Sequence, residues 1–118
     1  MVEENRMSFT MDRLIDQIIE GRKTASAERL DQQGQLDDWD SALQVGSYYI
    51  VCDSMRIPRC RIRVTTIRLC RWDDVPEWLW RGETNSDADG FRQDHADYFD
   101  DPDDDFEFVG YEFVLVTD

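Results

Sequence analysis

The stretch Gly21-Arg22-Lys23-Thr24-Ala25-Ser26 closes the first helical pattern of a 118-residue chain and holds its only lysine. Every other cationic side chain is an arginine, and 27 acidic residues against 13 basic ones give a net charge of −14. Lysine is a compact point charge that loses its proton more readily on burial, which arginine does not do. A single lysine beside two hydroxyls, just past a helix-ending glycine, is either a surface residue in a turn or a functional group. The surrounding chain has to decide between the two.

Upstream, Leu14, Ile15, Ile18 and Ile19 form one apolar stripe at helical spacing. Thr10 reads as the N-cap, Asp12 suits the first turn, and Gly21 is the expected C′ residue. Residues 1–9 are polar and are expected to fray. Downstream, residues 30–44 are rich in Gln and Asp, with Leu36, Trp39 and Leu43 as the bulky apolar positions, and read as a long surface loop.

After the turn Val45-Gly46-Ser47, residues 48–52 read as a strand, and Asp53-Ser54-Met55 as a hairpin turn. Arg59-Cys60-Arg61-Ile62-Arg63-Val64 then alternates strictly, the period of a half-buried strand. Cys60, Ile62 and Val64 fall on the core side, and Arg59, Arg61 and Arg63 form a ladder on the other. From Arg56 to Arg71 there are six arginines and no acid. This reversal of sign fits a solvated outer face balanced by neighbouring acids, or a basic surface that meets an anionic ligand.

Asp73-Asp74-Val75-Pro76-Glu77 reads as a helix start that Gly82 ends, with Glu83 directly after. Ser86-Asp87-Ala88-Asp89 resembles a capping box and opens a helix whose apolar face is Phe91, His95, Tyr98 and Phe99. His95, the sole histidine, reads there as a packed residue. Residues 100–105 are an acidic, solvated loop, and residues 106–117 alternate as a terminal strand in which Gly110 suggests a bulge or bend.

Composition bounds the function classes. The length fits one domain, spanning 1–118, and 41% hydrophobic residues fit a folded core. No apolar run is long enough to cross a bilayer, and none follows the polar start as a signal peptide would, so a cytoplasmic protein without a membrane partner is expected. Cys52, Cys60 and Cys70 form no CxxC pair, so neither a disulfide framework nor a metal site is expected. The net acidity disfavours non-specific nucleic-acid binding by the whole surface. It leaves an acidic partner-binding protein as one reading, against which the arginine ladder argues.

The order of these parts resembles the ASCH domain, a branch of the PUA-like superfold. It consists of a helix ending in Gly-x-Lys-Thr-x-Ser, a Val-Gly-Ser turn, Pro58-Arg59-Cys60 in a strand pair, a Trp-Asp-Asp-Val helix start, a Gly82-Glu83 exit, a Phe-Arg-x-x-His helix and a final Phe-x-Phe strand. The resemblance covers nearly the whole chain. It implies an α+β fold, a small mixed β-barrel with helices packed at its mouth, and a cleft linked to RNA metabolism. Two activities go with the family: ribonuclease activity, and hydrolysis of the acetyl amide of N4-acetylcytidine.

In the amidohydrolase branch the motif lysine, a threonine three residues later and a glutamate after the second helix do the chemistry. Lys23 matches the lysine, and Ser26 keeps the hydroxyl. The carboxylate position falls on Arg81, with Glu83 two residues on, and Ser47 stands where Asp is usual. The resemblance therefore implies Lys23, Ser26 and Glu83 as catalytic residues. Arg22, Thr24, Tyr48, Arg59, Arg61 and Arg63 are expected to bind RNA or a nucleoside, and no cofactor is expected. A metal-independent ribonuclease is the leading expectation, with an amidohydrolase or a non-catalytic RNA-binding module as alternatives.

Overall fold

A computed structural model describes residues 5–9, 11–29 and 43–117. Thr10 and most of the expected 30–44 loop, Leu36 and Trp39 included, lie outside the described residues. The elements run β1 (Asn5–Ser8), α1 (Asp12–Ile19), β2 (Ala25–Glu28), β3 (Tyr48–Cys52), β4 (Pro58–Arg71), α2 (Glu77–Gly82), α3 (Ala88–His95) and β5 (Glu107–Leu115). This is a mixed α+β fold on one five-stranded sheet, ordered β1-β3-β4-β5-β2. The β1–β3 pair is parallel and the other pairs are antiparallel.

Several expectations are corrected. A strand over Asn5–Ser8 stands where fraying was expected, because Met7 is buried in the core and the segment pairs with β3. The ladder strand runs 14 residues to Arg71 instead of ending at Val64. The sheet does not close into a barrel: β1 and β2 remain its two edges. The bulge falls in β4, where Val64 pairs with Phe113 and Thr66 with Glu112, and Thr65 is skipped. Gly110 pairs regularly with Arg68 and Ala27. A Cβ there would lie 3.0 Å from Leu79 Cδ2 and 3.1 Å from Cys70 Sγ, so a side chain at this position would press those neighbours aside by a few tenths of an ångström.

Two helix starts are also shifted. The N-cap of α2 is Pro76, with no side-chain cap, so Asp73 and Asp74 lie in the preceding turn. The N-cap of α3 is Asp87, whose side chain accepts from Gly90 N, in place of Ser86. Gly21 sits at φ +82 just past the α1 cap, as the sequence predicts.

Alternation along the strands feeds two cores on opposite faces of the sheet. One gathers Ile15 and Ile18 of α1 against Val51, Ile62, Val64, Tyr111 and Phe113. The other packs Leu79 of α2 and Phe91 of α3 on Ala25, Ala27, Cys70 and Phe108. Trp72 meets Phe99 and Phe108 edge-on in this second core. Cys52 and Cys70 are buried and all three cysteines are free; burial pushes the Cys70 thiol up to about 11. Among the described residues no helix is long and apolar enough to cross a membrane.

Candidate functional site

The α1 exit is pinned by backbone. Gln17 O accepts from both Arg22 N (2.9 Å) and Lys23 N (3.1 Å), Thr24 N donates to Gly82 O (2.8 Å), and Thr24 O accepts from Phe113 N (3.0 Å). The end of α2 therefore lies directly on the start of β2. Only glycine permits this approach, since a Cβ on Gly82 would come within 2.5 Å of Ala25 Cβ and 2.9 Å of Ala25 N. Glu83 follows as the α2 C-cap, and Thr84 takes a left-handed φ of +66, a turn that a β-branched residue adopts only under tertiary constraint.

This juxtaposition brings together residues 60 positions apart. Lys23 Nζ donates to Ala25 O at 2.7 Å and forms an ion pair with Glu83 Oε1. The Glu83 Oε2 atom meets His95 Nε2 at 2.7 Å. His95 Nδ1 donates to Phe91 O at 2.8 Å, and its ring stacks on Phe91 with centroids 4.0 Å apart. The Phe91 carbonyl can only accept, so Nδ1 is the hydrogen-bearing nitrogen of that contact. The Lys23 and Glu83 side chains are only 1% and 7% exposed. Burial pushes the Glu83 carboxyl up, but the Lys23 charge and the His95 hydrogen bond pull harder and hold it below its ordinary value.

A cleft of about 970 Å³ opens over this cluster. Its walls are Arg6 to Phe9 around β1, Arg13 and Gln17 of α1, Ser26 to Glu28 of β2, and His95 and Tyr98 from the α3 end. Strands β1 and β2 are the two ends of the sheet order, so the cleft lies where a closed barrel would have its seam. Ser26 and Glu28 are both buried on β2, and Tyr98 Oη donates to Glu28 Oε2 at 2.8 Å. The lining sets Arg6, Arg13 and Lys23 against Glu28, Glu83, Asp94 and Asp97, so it is close to neutral within a chain of −14.

The structure thus gathers Lys23, Ser26 and Glu83 at one cleft and separates the expected binding residues from it. Arg22 is exposed and paired with Glu20 at 2.7 Å, and Thr24 contributes its backbone to the α2 junction. Neither lines the cleft. Tyr48, Arg59, Arg61 and Arg63 also lie outside it, with Arg59 bound to Asp16 at 3.1 Å. Arg81 is exposed and paired with Glu77 at 2.9 Å, so the carboxylate that meets Lys23 is Glu83.

Sequence reasoning read His95 as a packed residue. It is packed, on Phe91, and it is also the second partner of Glu83. Glu28, Tyr98, Arg6 and Arg13 were not singled out for the cleft at all. A carboxylate at each helix exit and a histidine one turn past Phe91 were the available signals. Their convergence depends on how α2 and α3 dock, which no local spacing encodes.

A family model for the ASCH domain matches residues 5–117. Among solved structures, the ASCH domain from Lactobacillus crispatus has 21% identity, covers 94% of this chain and 79% of its own, and superposes with a TM-score of 0.74. A protein from Enterococcus faecalis has 24% identity, with 98% and 78% covered and a TM-score of 0.69. An ASCH protein from Zymomonas mobilis has 13% identity, with 96% and 70% covered and a TM-score of 0.61. No curated relative matches the sequence. At these identities the structural likeness speaks for the fold, and the match across residues 5–117 speaks for the lineage: the chain belongs to the ASCH domain family.

Proposed function

We propose that the cleft holds RNA, and that the domain cleaves it as a metal-independent ribonuclease. One observation carries the choice of reaction. Lys23 Nζ is a buried cation, ion-paired with the Glu83 carboxylate and donating to the Ala25 carbonyl. Such a group suits stabilising negative charge and does not suit taking a proton from a nucleophile.

In the proposed reaction the ribose 2′ oxygen forms a bond to phosphorus and the bond from phosphorus to the 5′ oxygen breaks. The 2′-hydroxyl proton leaves to solvent, and the departing 5′ oxygen takes one from solvent. Lys23 stabilises the charge on the phosphoryl oxygens, Ser26 donates a hydrogen bond, and Glu83 with His95 fixes the ammonium in place. The test is incubation of the purified protein with single-stranded RNA in the presence of a chelator. Products ending in a 2′,3′-cyclic phosphate are expected, and Lys23→Ala should abolish them while the fold, checked by circular dichroism, persists. Intact RNA after prolonged incubation would refute the ribonuclease reading.

A second reading has its own support, since Ser26, Lys23 and Glu83 border one cleft. There Ser26 Oγ bonds to the acetyl carbon of N4-acetylcytidine. Lys23, having passed a proton to Glu83, takes the serine proton and delivers it to the N4 amine as the C–N bond breaks. Water then cleaves the acetyl-serine to release acetate. Release of acetate that stops in Ser26→Ala would establish that reading in place of the first. RNA binding without either product would leave a non-catalytic binding module.

A further inference from the structure

The charges that line the cleft are sorted by wall. Asp94 and Asp97 stand on the α3 side, and Arg6 of β1 and Arg13 of α1 stand on the other. Helix α1 explains the sorting, because residues four apart share one row of a helix surface. Asp12 and Asp16 form the row that meets the β3–β4 hairpin. Asp12 accepts from Ser54 N and Ser54 Oγ, both at 2.9 Å, and Asp16 pairs with Arg59 at 3.1 Å. Arg13 and Gln17 form the next row, which lines the cleft. The two acids nearest Arg13 in sequence are thus engaged elsewhere, and among the described residues no carboxylate pairs with it. Arg6 has none either, and its Nη1 lies 4.0 Å from Cys52 Sγ, a weak acceptor. By contrast Arg22, Arg59, Arg71, Arg81 and Arg92 each pair with a carboxylate.

We infer that Arg6 and Arg13 form a phosphate subsite on the β1–α1 wall, for the phosphate next to the one at Lys23. The inference rests on the reading that a nucleotide strand occupies the cleft, and adds where that strand runs. Gln17 O anchors the Lys23 backbone, and Arg13 stands one turn of α1, about 6 Å, from Gln17. A strand whose reacting phosphate meets Lys23 can therefore bring a neighbouring phosphate to Arg13 without leaving the cleft. Both arginines are exposed on a wall without acids, and their planar N–H edges match phosphate oxygens two at a time. The opposite wall, with Asp94 and Asp97, repels phosphate and turns the sugar and base toward His95 and Tyr98. A base or sugar alone gives neither arginine a counter-charge. The ligand class is therefore an oligonucleotide with at least two phosphates, not a free nucleoside.

The experiment uses probes that bind without reacting. One is a 2′-O-methyl uridine dinucleotide, whose attacking hydroxyl is blocked; the others carry an added phosphate at its 5′ or its 3′ end. Affinities are measured by isothermal titration calorimetry at one ionic strength. In the wild type one of the two added phosphates should tighten binding about tenfold, the size of a charge-assisted contact. Arg6→Ala/Arg13→Ala should remove that advantage. Arg6→Gln/Arg13→Gln, which keeps N–H donors but not the charge, should remove most of it. Arg71→Ala/Arg81→Ala deletes the same charge at exposed positions outside the cleft and should keep the advantage whole. Equal affinity of the three probes for the wild type, or no binding of any, would overturn the inference. So would an advantage that survives in Arg6→Ala/Arg13→Ala. Equal loss in both alanine variants would also overturn it, by reducing the effect to net charge. None of these outcomes depends on cleavage: RNA that stays intact would refute the ribonuclease reading alone, and cleavage without a phosphate advantage would refute the subsite alone.

Discussion

Lys23 and the arginines of β4 are both cationic, and the same sheet treats them in opposite ways. Lys23 is withdrawn from water and held by a carbonyl and by a carboxylate that a histidine holds from behind. Arg59 and Arg63 stand at the surface, Arg59 in open ion pairs and Arg63 against the Gly46 carbonyl and the Tyr48 ring. A buried charge depends on its partners because desolvation is costly, whereas a charge in water does not. The lysine region should therefore be sensitive to loss of a neighbour, and the arginine region sensitive to salt.

The largest effect should come from removing the carboxylate. Glu83→Ala leaves the ammonium buried without its counter-charge, which should cost about 3–5 kcal/mol in urea unfolding. A loss below about 1 kcal/mol, the range of surface pairs, would erase the distinction between the two regions. Next, Gly82→Ala forces α2 away from β2 and should cost about 1–3 kcal/mol. It should also disturb the Lys23–Glu83 contact, since a Cβ cannot fit against Ala25. Stability loss with full activity would show that the site tolerates movement of α2.

A smaller effect concerns acid. The Glu83 carboxyl is held below its ordinary value in the folded protein, by the Lys23 charge and the His95 hydrogen bond against the effect of burial. Its contribution is therefore fully present above the unfolded-state value and is lost as pH falls through the lower folded value. Glu83→Gln should flatten the fall of stability with pH below about 4.5, relative to wild type. Arg61→Ala/Arg63→Ala should leave the shape of that fall unchanged, because arginine does not titrate there. The smallest effect belongs to Arg59→Ala, which releases Asp16 and Asp53 and should cost about 0–1 kcal/mol. That difference should vanish in about 1 M salt, where screening acts within ~3 Å.

The fold was legible wherever local chemistry decided it. The stripe of Leu14, Ile15 and Ile18, the left-handed Gly21, and the alternation of Arg59 to Val64 each act within a few residues, and each element formed as expected. Strand β1 was illegible because four polar-flanked residues carry no period; burial of Met7 and the edge of β3 make it a strand. Gly110 was misread because a glycine in a strand looks alike whether it bends the chain or admits a helix. Lys23 and Glu83 could be paired through the family motif even with Arg81 in the usual carboxylate place. His95 could not, because its packing on Phe91 and its bond to Glu83 leave the same trace in sequence.

The bond from Lys23 Nζ to Ala25 O has a consequence for how these molecules meet one another. Strand β2 is the last in the sheet, and an outer strand with unsatisfied carbonyls is a template on which another chain can add a strand. Lys23 occupies the Ala25 carbonyl from within its own chain, and all four residues of β2 are buried, so this end of the sheet offers no open row of acceptors. A Lys23→Ala preparation should accordingly be checked for self-association by size-exclusion chromatography. Loss of cleavage in a variant that stays monomeric would trace to the missing ammonium alone.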